Sequence, residues 1–184
     1  MTRIQRFKSN DILFIFIDLQ KKLLNEIDVA KKIVDNSRAL LEVAELLSIP
    51  IIVTSQYRKG LGDLEEEIAE KVQGKVLDKT TFSCTLDPAF IQELEKYPGR
   101  SIAVTGVETH ICVLQTALDL MDRGRNVAVV TDSVAARKEE DHQRGLNRME
   151  KSGAIMVTKE MLIYELLQRS DVPEFKKILP LIKK

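Results

Sequence analysis

The feature that most constrains the fold of this chain is a regular alternation of short apolar runs with longer helical segments. The runs are nearly continuous in apolar residues, and they cover residues 12–17, 51–54, 101–105, 126–131 and 154–158. Strands buried on both faces of a sheet have this composition. Between them, helical periodicity or composition predicts helices at residues 29–47, 113–121 and 138–151.

This alternation of strands and helices is typical of right-handed βαβ units that form a parallel sheet. The sequence therefore predicts an α/β fold with three α/β/α layers. Its sheet is expected to be Rossmann-like and mostly parallel, with five to six strands flanked by helices.

Length and composition narrow the class of protein further. The chain has 184 residues, with 28 Lys and Arg against 28 Asp and Glu, two Cys and two His. At this length one domain over residues 1–184 is expected. The balanced charge argues against a nucleic-acid or membrane partner. Two cysteines without a CxxC pairing fit a reducing compartment, and the first apolar run is too short for a signal peptide or a membrane span, so we expect a cytoplasmic protein.

Ligands of open parallel sheets bind at the carboxyl ends of the strands. Among the residues that follow predicted strands, Cys112 has the most informative position, because a glycine turn and a helix start near Thr109 would place it in the first helical turn. Free N–H groups there favour a thiolate and could stabilise an oxyanion. The alternative, favoured for a lone cysteine, is a small buried apolar residue.

Two charged residues are further candidates. Asp18 ends a wholly apolar strand, where an unpaired carboxylate would be costly to bury. It could serve as general base and acid for a nearby cysteine, or it could be a turn or N-cap residue. Lys79 stands in a polar stretch and, taken alone, is most simply a loop lysine.

Taken together, three elements resemble the isochorismatase-like cysteine hydrolases. They are Asp18 with Gln20 two positions later, Lys79 followed by Phe82 and Ser83, and the element Gly-Val-Glu-Thr-x-x-Cys-Val at residues 106–113. The resemblance extends over residues 11–167, and residues 55–62 are similar to the subgroup called isochorismatase domain-containing proteins.

The resemblance implies a catalytic triad and a reaction class. Cys112 would be the nucleophile, Asp18 would carry its proton, and Lys79 would hold both groups electrostatically. The Val107–Glu108 peptide bond would be cis, and the N–H groups of Glu108 and Cys112 would form the oxyanion hole. The implied reaction is hydrolysis of a small amide-type substrate through a thioester, in a homo-oligomer that needs no cofactor.

Further residues are expected in the substrate pocket or near it. The pocket wall would include Gln20, Gln56, Tyr57, Phe82 and Glu108, although Tyr57 and Phe82 could equally be core or interface aromatics. Four other positions are expected outside the chemistry: Cys84 as a packing residue, His110 as a supporting or interface residue, His142 as a solvated helix residue, and Asp132-Ser133 as a capping pair after a strand.

The chain also departs from two branches of the family. Metal-dependent nicotinamidases carry an Asp-x-His pattern after the second strand, whereas this chain has Ser55-Gln56-Tyr57 there, so we expect no catalytic metal. True isochorismatases lack the nucleophilic cysteine, so the family name does not define the activity.

Other functional classes stay open. A non-catalytic interaction protein could use the same scaffold, and another small carbonyl or vinyl-ether compound could be the substrate. A nucleotide-binding domain is disfavoured, because no GxGxxG follows the first strand and no GxxxxGK[ST] element occurs. The apolar stretch from 171 to 184 is expected to form a terminal helix that packs on the body or on a second subunit.

Overall fold

A six-stranded parallel sheet forms the centre of the molecule, as the sequence predicts. The computed structural model describes residues 6–183. The strands lie in the order β3-β2-β1-β4-β5-β6, and every neighbouring pair is parallel. Their bounds are β1 Ile12–Ile17, β2 Ile51–Gln56, β3 Val76–Lys79, β4 Ser101–Val107, β5 Val127–Ala135 and β6 Ile155–Val157.

Helices cover both faces of this sheet and complete three layers. They are α1 Lys21–Leu24, α2 Ala30–Leu46, α3 Arg58–Leu61, α4 Glu66–Ala69, α5 Pro88–Leu94, α6 Leu114–Asp122, α7 Glu139–Lys151, α8 Lys159–Leu167 and α9 Pro173–Ile182. Two apolar clusters fill the space between the layers. Alternate residues of β1 belong to different clusters, one packed with α2, α8 and α9 and the other with α5, α6 and α7.

Two parts of the sheet differ from the sequence-based expectation. Residues 76–79 form edge strand β3, which was not predicted because half of its residues are charged and the apolar run is too short to recognise. Strand β5 continues to Ala135, so Asp132 and Ser133 lie inside it rather than after it. An irregularity between β4 and β5 accommodates this polar pair. The expected capping role is confirmed for Asp132, because its carboxylate accepts the N–H of Lys159 at the start of α8 at 2.7 Å. It is wrong for Ser133, whose buried hydroxyl has no hydrogen-bond partner within the described residues.

The order of the strands creates a crevice between β1 and β4. The chain leaves β1 toward β2 on one side of the sheet and leaves β4 toward β5 on the other. Side chains that follow β1 and β4 therefore meet at the carboxyl edge, where ligands of open α/β sheets bind. Gly106 in β4 pairs with Ile17 of β1, next to this crevice.

The chain ends in a helix, as the sequence predicts. Helix α9 packs on α2 and α8, and Ile178 of α9 is fully buried in the core. No helix in the described part of the chain has the length and apolar character that crossing a bilayer requires.

Candidate active site

Asp18, Lys79 and Cys112 meet at the carboxyl edge of the sheet, although 61 and 33 positions separate Lys79 from the other two. Asp18 follows β1, Lys79 is the last residue of β3, and Cys112 lies in a π-helical turn, Thr109–Val113, between β4 and α6. The Lys79 Nζ lies 2.7 Å from Asp18 Oδ2 and 3.7 Å from Cys112 Sγ. All three side chains are buried, and their residues are 0%, 2% and 6% exposed.

The Asp18 carboxylate is held by one residue of β2 and one of β3. Its own backbone has a left-handed conformation with φ of 53°. Its N–H donates to the carbonyl of Thr54 on β2 at 3.2 Å, and its Oδ1 accepts the Thr54 hydroxyl at 2.7 Å. With Lys79 on Oδ2, the carboxylate has a fixed orientation and a counter-ion, as a buried anion requires.

Lys79 uses all three protons of its ammonium group in short contacts. It donates to Asp18 Oδ2, to Gln56 Oε1 at 2.6 Å and to the carbonyl of Thr81 at 3.2 Å. Burial disfavours the charged form, but the pKa of Lys79 is raised overall, above all by the charge of the Asp18 carboxylate. The ammonium therefore stays charged beside the sulfur. Because its three protons are donated to oxygen acceptors, it acts on the sulfur chiefly through its charge.

The Cys112 thiol has an environment that differs from the one expected from sequence. Burial raises its pKa above the ordinary value, the Asp18 carboxylate raises it further through its charge and a hydrogen bond, and Lys79 opposes both effects. Burial and the Asp18 carboxylate therefore favour the neutral thiol over the thiolate expected at a helix start. A neutral thiol beside a carboxylate is arranged for proton transfer to Asp18 during attack.

The backbone beside Cys112 has the unusual bond that the resemblance implies. The Val107–Glu108 peptide bond is cis. The Glu108 carbonyl accepts the N–H groups of Ile111 at 3.0 Å and Val113 at 3.3 Å, which closes the π-helical turn. The Glu108 carboxylate accepts the backbone N–H of Arg137 at 2.9 Å and its Nε at 3.1 Å. The side chain of Glu108 is therefore bound by Arg137, two residues after the end of β5.

The expected wall residues have different surroundings. Gln56 lies inside the site, because its Oε1 contacts Lys79 and lies 4.0 Å from the Cys112 sulfur. Gln20 is fully buried, and its amide bridges the backbones of Gln56 and Gly62, which fixes the loop between them. Tyr57 and Phe82 are 49% and 55% exposed, so the possibility that they are core aromatics is wrong.

The remaining candidates lie beside the site. Cys84 is fully buried in the apolar cluster, as expected for a packing residue, and burial raises the pKa of its thiol to about 11. His110 lies 3.9 Å from the Asp141 carboxylate. The expectation that His142 is solvated is wrong, because its ring is half-buried and its Nδ1 lies 2.9 Å from the Thr109 hydroxyl. Burial lowers the pKa of His142.

Three partners of the site were not identified from the sequence. Thr54 and Thr81 contact Asp18 and Lys79, and Arg137 contacts Glu108. Their residue types are common on strands and loops, and only the three-dimensional pairing distinguishes them. Within residues 6–183, no three His, Cys, Asp or Glu residues are grouped so that they could hold a metal ion.

The comparison with known families agrees with this geometry. The family model of the isochorismatase domain matches residues 13–161, which is most of the chain. The chain belongs to the isochorismatase family.

Relatives and solved structures from this family match nearly the whole chain. Isochorismatase domain-containing protein 2 of Bos taurus is 42% identical over 168 residues, which are 90% of this chain and 80% of the relative. A solved structure described as MAR1 ribonuclease from Caenorhabditis elegans is 38% identical, with a TM-score of 0.91 over 98% of this chain and 93% of that one. YcaC from Pseudomonas aeruginosa, solved with hexane-2,5-diol and covalent acrylamide, has a TM-score of 0.92 at 23% identity, over 98% and 93% of the two chains, and shows the shared fold.

Proposed function

We propose that this isochorismatase-family protein is a cysteine hydrolase that cleaves the C–N bond of a small amide-type substrate. The observation that carries the proposal is the contact of one ammonium group, on Lys79, with both Asp18 Oδ2 at 2.7 Å and Cys112 Sγ at 3.7 Å. A nucleophile, a base and a fixed positive charge in one buried crevice are the parts that covalent acyl transfer needs. Cys112, Asp18 and Lys79 are the proposed catalytic residues.

In the first half of the reaction, the Cys112 sulfur attacks the substrate carbonyl carbon while its proton moves to Asp18. A C–S bond forms, and the carbonyl oxygen becomes an oxyanion that the backbone N–H groups of Glu108 and Cys112 stabilise. The intermediate then collapses, the C–N bond breaks, and the leaving nitrogen takes the proton from Asp18. Lys79 stays charged throughout and offsets the negative charge near the sulfur.

In the second half, water hydrolyses the thioester. Asp18 accepts a proton from the attacking water, the C–S bond breaks, and the sulfur leaves as the proton returns to it. The product acid and the free thiol are then released. Because the resting thiol has a raised pKa, Asp18 is the group that makes Cys112 nucleophilic in this scheme.

The proposed substrate site lies where the carboxyl ends of β1, β2 and β4 meet. Gln56 contacts the triad, and the exposed rings of Tyr57 and Phe82 follow β2 and β3 at the same edge. We assign these three residues and Glu108 to the wall of the site. Gln20 supports the wall by fixing the loop that follows β2.

The proposed reaction uses no metal and no cofactor. The positive charge beside the nucleophile comes from Lys79, whose ammonium is already paired with the carboxylate of Asp18. Activity should therefore persist after treatment with EDTA and dialysis. A loss of activity that added Zn²⁺, Mn²⁺ or Fe²⁺ restores would contradict this part of the proposal.

Ribonuclease activity is a second candidate because of one relative. The Caenorhabditis elegans protein that is 38% identical is described as a ribonuclease. The balanced charge of this chain, 28 cationic against 28 anionic residues, argues against an RNA-binding surface. Incubation with labelled single-stranded RNA tests the point: we expect no cleavage, and cleavage that Cys112→Ala abolishes would replace the amide proposal.

The most informative experiment is a substrate panel of small amides, ureas and carbamoylated compounds. We expect wild type to release ammonia or an amine from at least one compound, and Cys112→Ala to lose at least about 10³-fold of that activity. Cys84→Ala is the matched control, because it removes the other thiol and should retain activity. Full activity of Cys112→Ala would overturn the proposal.

A further inference from the structure

Helix α7 packs directly on the turn that carries Cys112. We call residues Thr109–Val113 the nucleophile turn. His142, Gly145 and Met149 are three, four and seven positions apart in sequence, so they lie on one face of α7, and Asp141 lies one turn before Gly145. Gly145 and Met149 are buried, and α7 packs against both the nucleophile turn and α6. One helix face thus supports the backbone on which the proposed nucleophile depends.

Gly145 is the point of closest approach between these two elements. A Cβ atom added there would lie 3.2 Å from the Cα of His110, 3.2 Å from the carbonyl oxygen of Thr109 and 3.2 Å from its Cγ2. Two of these atoms are backbone, so they cannot move aside as a flexible side chain could. Any side chain at position 145 would push the nucleophile turn away from α7.

Polar contacts connect the same segments. The Nδ1 of His142 lies 2.9 Å from the Thr109 hydroxyl, and the Oδ2 of Asp141 lies 3.9 Å from the Nε2 of His110. Ahead of the helix, Arg137 binds the Glu108 carboxylate through its backbone N–H and its Nε. Three successive residues, Glu108, Thr109 and His110, therefore each contact a residue of α7 or of the segment just before it.

We propose that Gly145 and His142 are positioning residues that hold the nucleophile turn, and with it the Cys112 sulfur, in register with Asp18 and Lys79. The inference rests on the proposed function, in which the sulfur must lie beside both groups at the moment of attack. A misplacement of about 1 Å in a reacting atom can cost about 10²-fold in rate. Neither residue touches the reacting atoms, so their effect should be on kcat rather than on KM.

Gly145→Ala tests the close approach. Alanine favours helix over glycine, so α7 itself should not weaken. We expect amide hydrogen exchange of residues 109–113 to rise at least five-fold. On the best amide of the panel, kcat should fall about ten-fold with KM within two-fold. Asn147→Ala, on the exposed face of the same helix, is the matched control and should change neither quantity.

His142 provides a test that does not depend on Gly145. His142→Phe removes the contact with Thr109, and we expect kcat to fall at least three-fold. Asparagine can place a polar atom where Nδ1 lies, so His142→Asn should return kcat to within two-fold of wild type. Such rescue would not occur if the residue only filled space.

The outcomes separate this inference from the proposed function. If Cys112→Ala is inactive while Gly145→Ala keeps wild-type kcat or wild-type exchange in residues 109–113, the positioning inference is wrong and the proposed reaction stands. Equal kcat values of His142→Phe and His142→Asn would also overturn it. If Cys112→Ala is active, the proposed reaction fails, whereas the exchange data still test whether α7 holds the turn.

Discussion

The ammonium of Lys79 is the residue-scale feature on which the proposed chemistry depends. It has three acceptors, one of which is Asp18, and it still lies 3.7 Å from the Cys112 sulfur. A buried ion pair loses several kcal/mol when one partner is removed, because the other charge is left uncompensated. Lys79 therefore contributes both to the stability of the fold and to the proposed chemistry.

Asp18→Asn should accelerate the alkylation of Cys112 and slow the hydrolysis of the substrate. Removal of the carboxylate charge lowers the pKa of the thiol, so alkylation by iodoacetamide at pH 8 should accelerate several-fold. Hydrolysis should fall about 10²–10⁴-fold, because the general base is lost. Peptide mass spectrometry measures the first effect and amide turnover the second.

The control for this variant is Asp122→Asn, at an exposed position of α6, which should leave both rates unchanged. Slower alkylation of the Asp18→Asn protein would show that the carboxylate does not control the Cys112 thiol.

Cys84 should make stability depend on pH in the alkaline range. Burial raises its pKa from 9.0 to about 11, so the folded chain keeps a proton that the unfolded chain loses. The resulting stability is complete below pH 9 and is lost as the pH rises toward 11. The full contribution is about 3 kcal/mol. Urea unfolding measures the free energy of unfolding at pH 8 and at pH 11. Between these two pH values it should fall less for Cys84→Ala than for wild type, and an equal fall would contradict the account.

Sequence identified the three proposed catalytic residues by two different routes. Asp18 and Cys112 follow apolar strands, so their place at the carboxyl edge could be inferred from the pattern. Lys79 ends a short edge strand, and only the family resemblance singled it out. Gln20 shows the limit of both routes, because its amide contacts depend on the path of the loop after β2 and not on spacing.

At the scale of elements, the crevice depends on the close approach of β1 and β4. Gly106 has φ of 118°, and a Cβ atom there would lie 2.0 Å from the carbonyl oxygen of Ile17. Gly106→Ala should therefore separate the strands beside the triad and destabilise the fold by about 3 kcal/mol or more. Thermal unfolding measures this loss.

Gly124→Ala is the matched control for Gly106→Ala. Gly124 also has a positive φ, of 76°, but nothing lies within 4 Å of its added Cβ. Its substitution should cost only the backbone strain, about 1–2 kcal/mol. Equal losses for the two variants would show that the contact with Ile17 is unimportant.

Element bounds were predictable where periodicity is strong and not where packing overrides it. The predicted helix at 29–47 is observed as Ala30–Leu46, and β1 has the predicted bounds. Strand β5 runs past Asp132 because its bulge lets polar residues pair within the sheet. The lone glycine at position 145 was the one sign in the sequence of α7's close contact, since glycine inside a helix costs stability unless packing requires it.

At the scale of the whole molecule, the structure decides between the two expected places of the C-terminal stretch, on the body or on a second subunit. The C-terminal stretch was a candidate surface for a second subunit, but Ile178 is buried and Phe175 and Ile182 pack against the chain's own core. Phe82 and Leu86, 55% and 65% exposed, instead lie in one loop after β3. We propose that residues 1–184 form one domain that assembles into a homo-oligomer through this loop.

Light scattering on the purified protein tests the assembly. We expect a mass of at least twice the 20.9 kDa of one chain. Leu86→Ser should lower that mass or weaken its persistence on dilution, because it removes exposed apolar area. Met161→Ser, at a 55% exposed position of α8, is the control. A monomeric wild type would contradict the expectation.

The measurement that tests the central claim most directly is intact-protein mass spectrometry during turnover of the amide panel. The account predicts a transient mass increase equal to the substrate's acyl group, located on the Cys112 peptide, present in wild type and Cys84→Ala and absent from Cys112→Ala. Substrate hydrolysis with no such adduct, and with unchanged activity in Cys112→Ala, would contradict it.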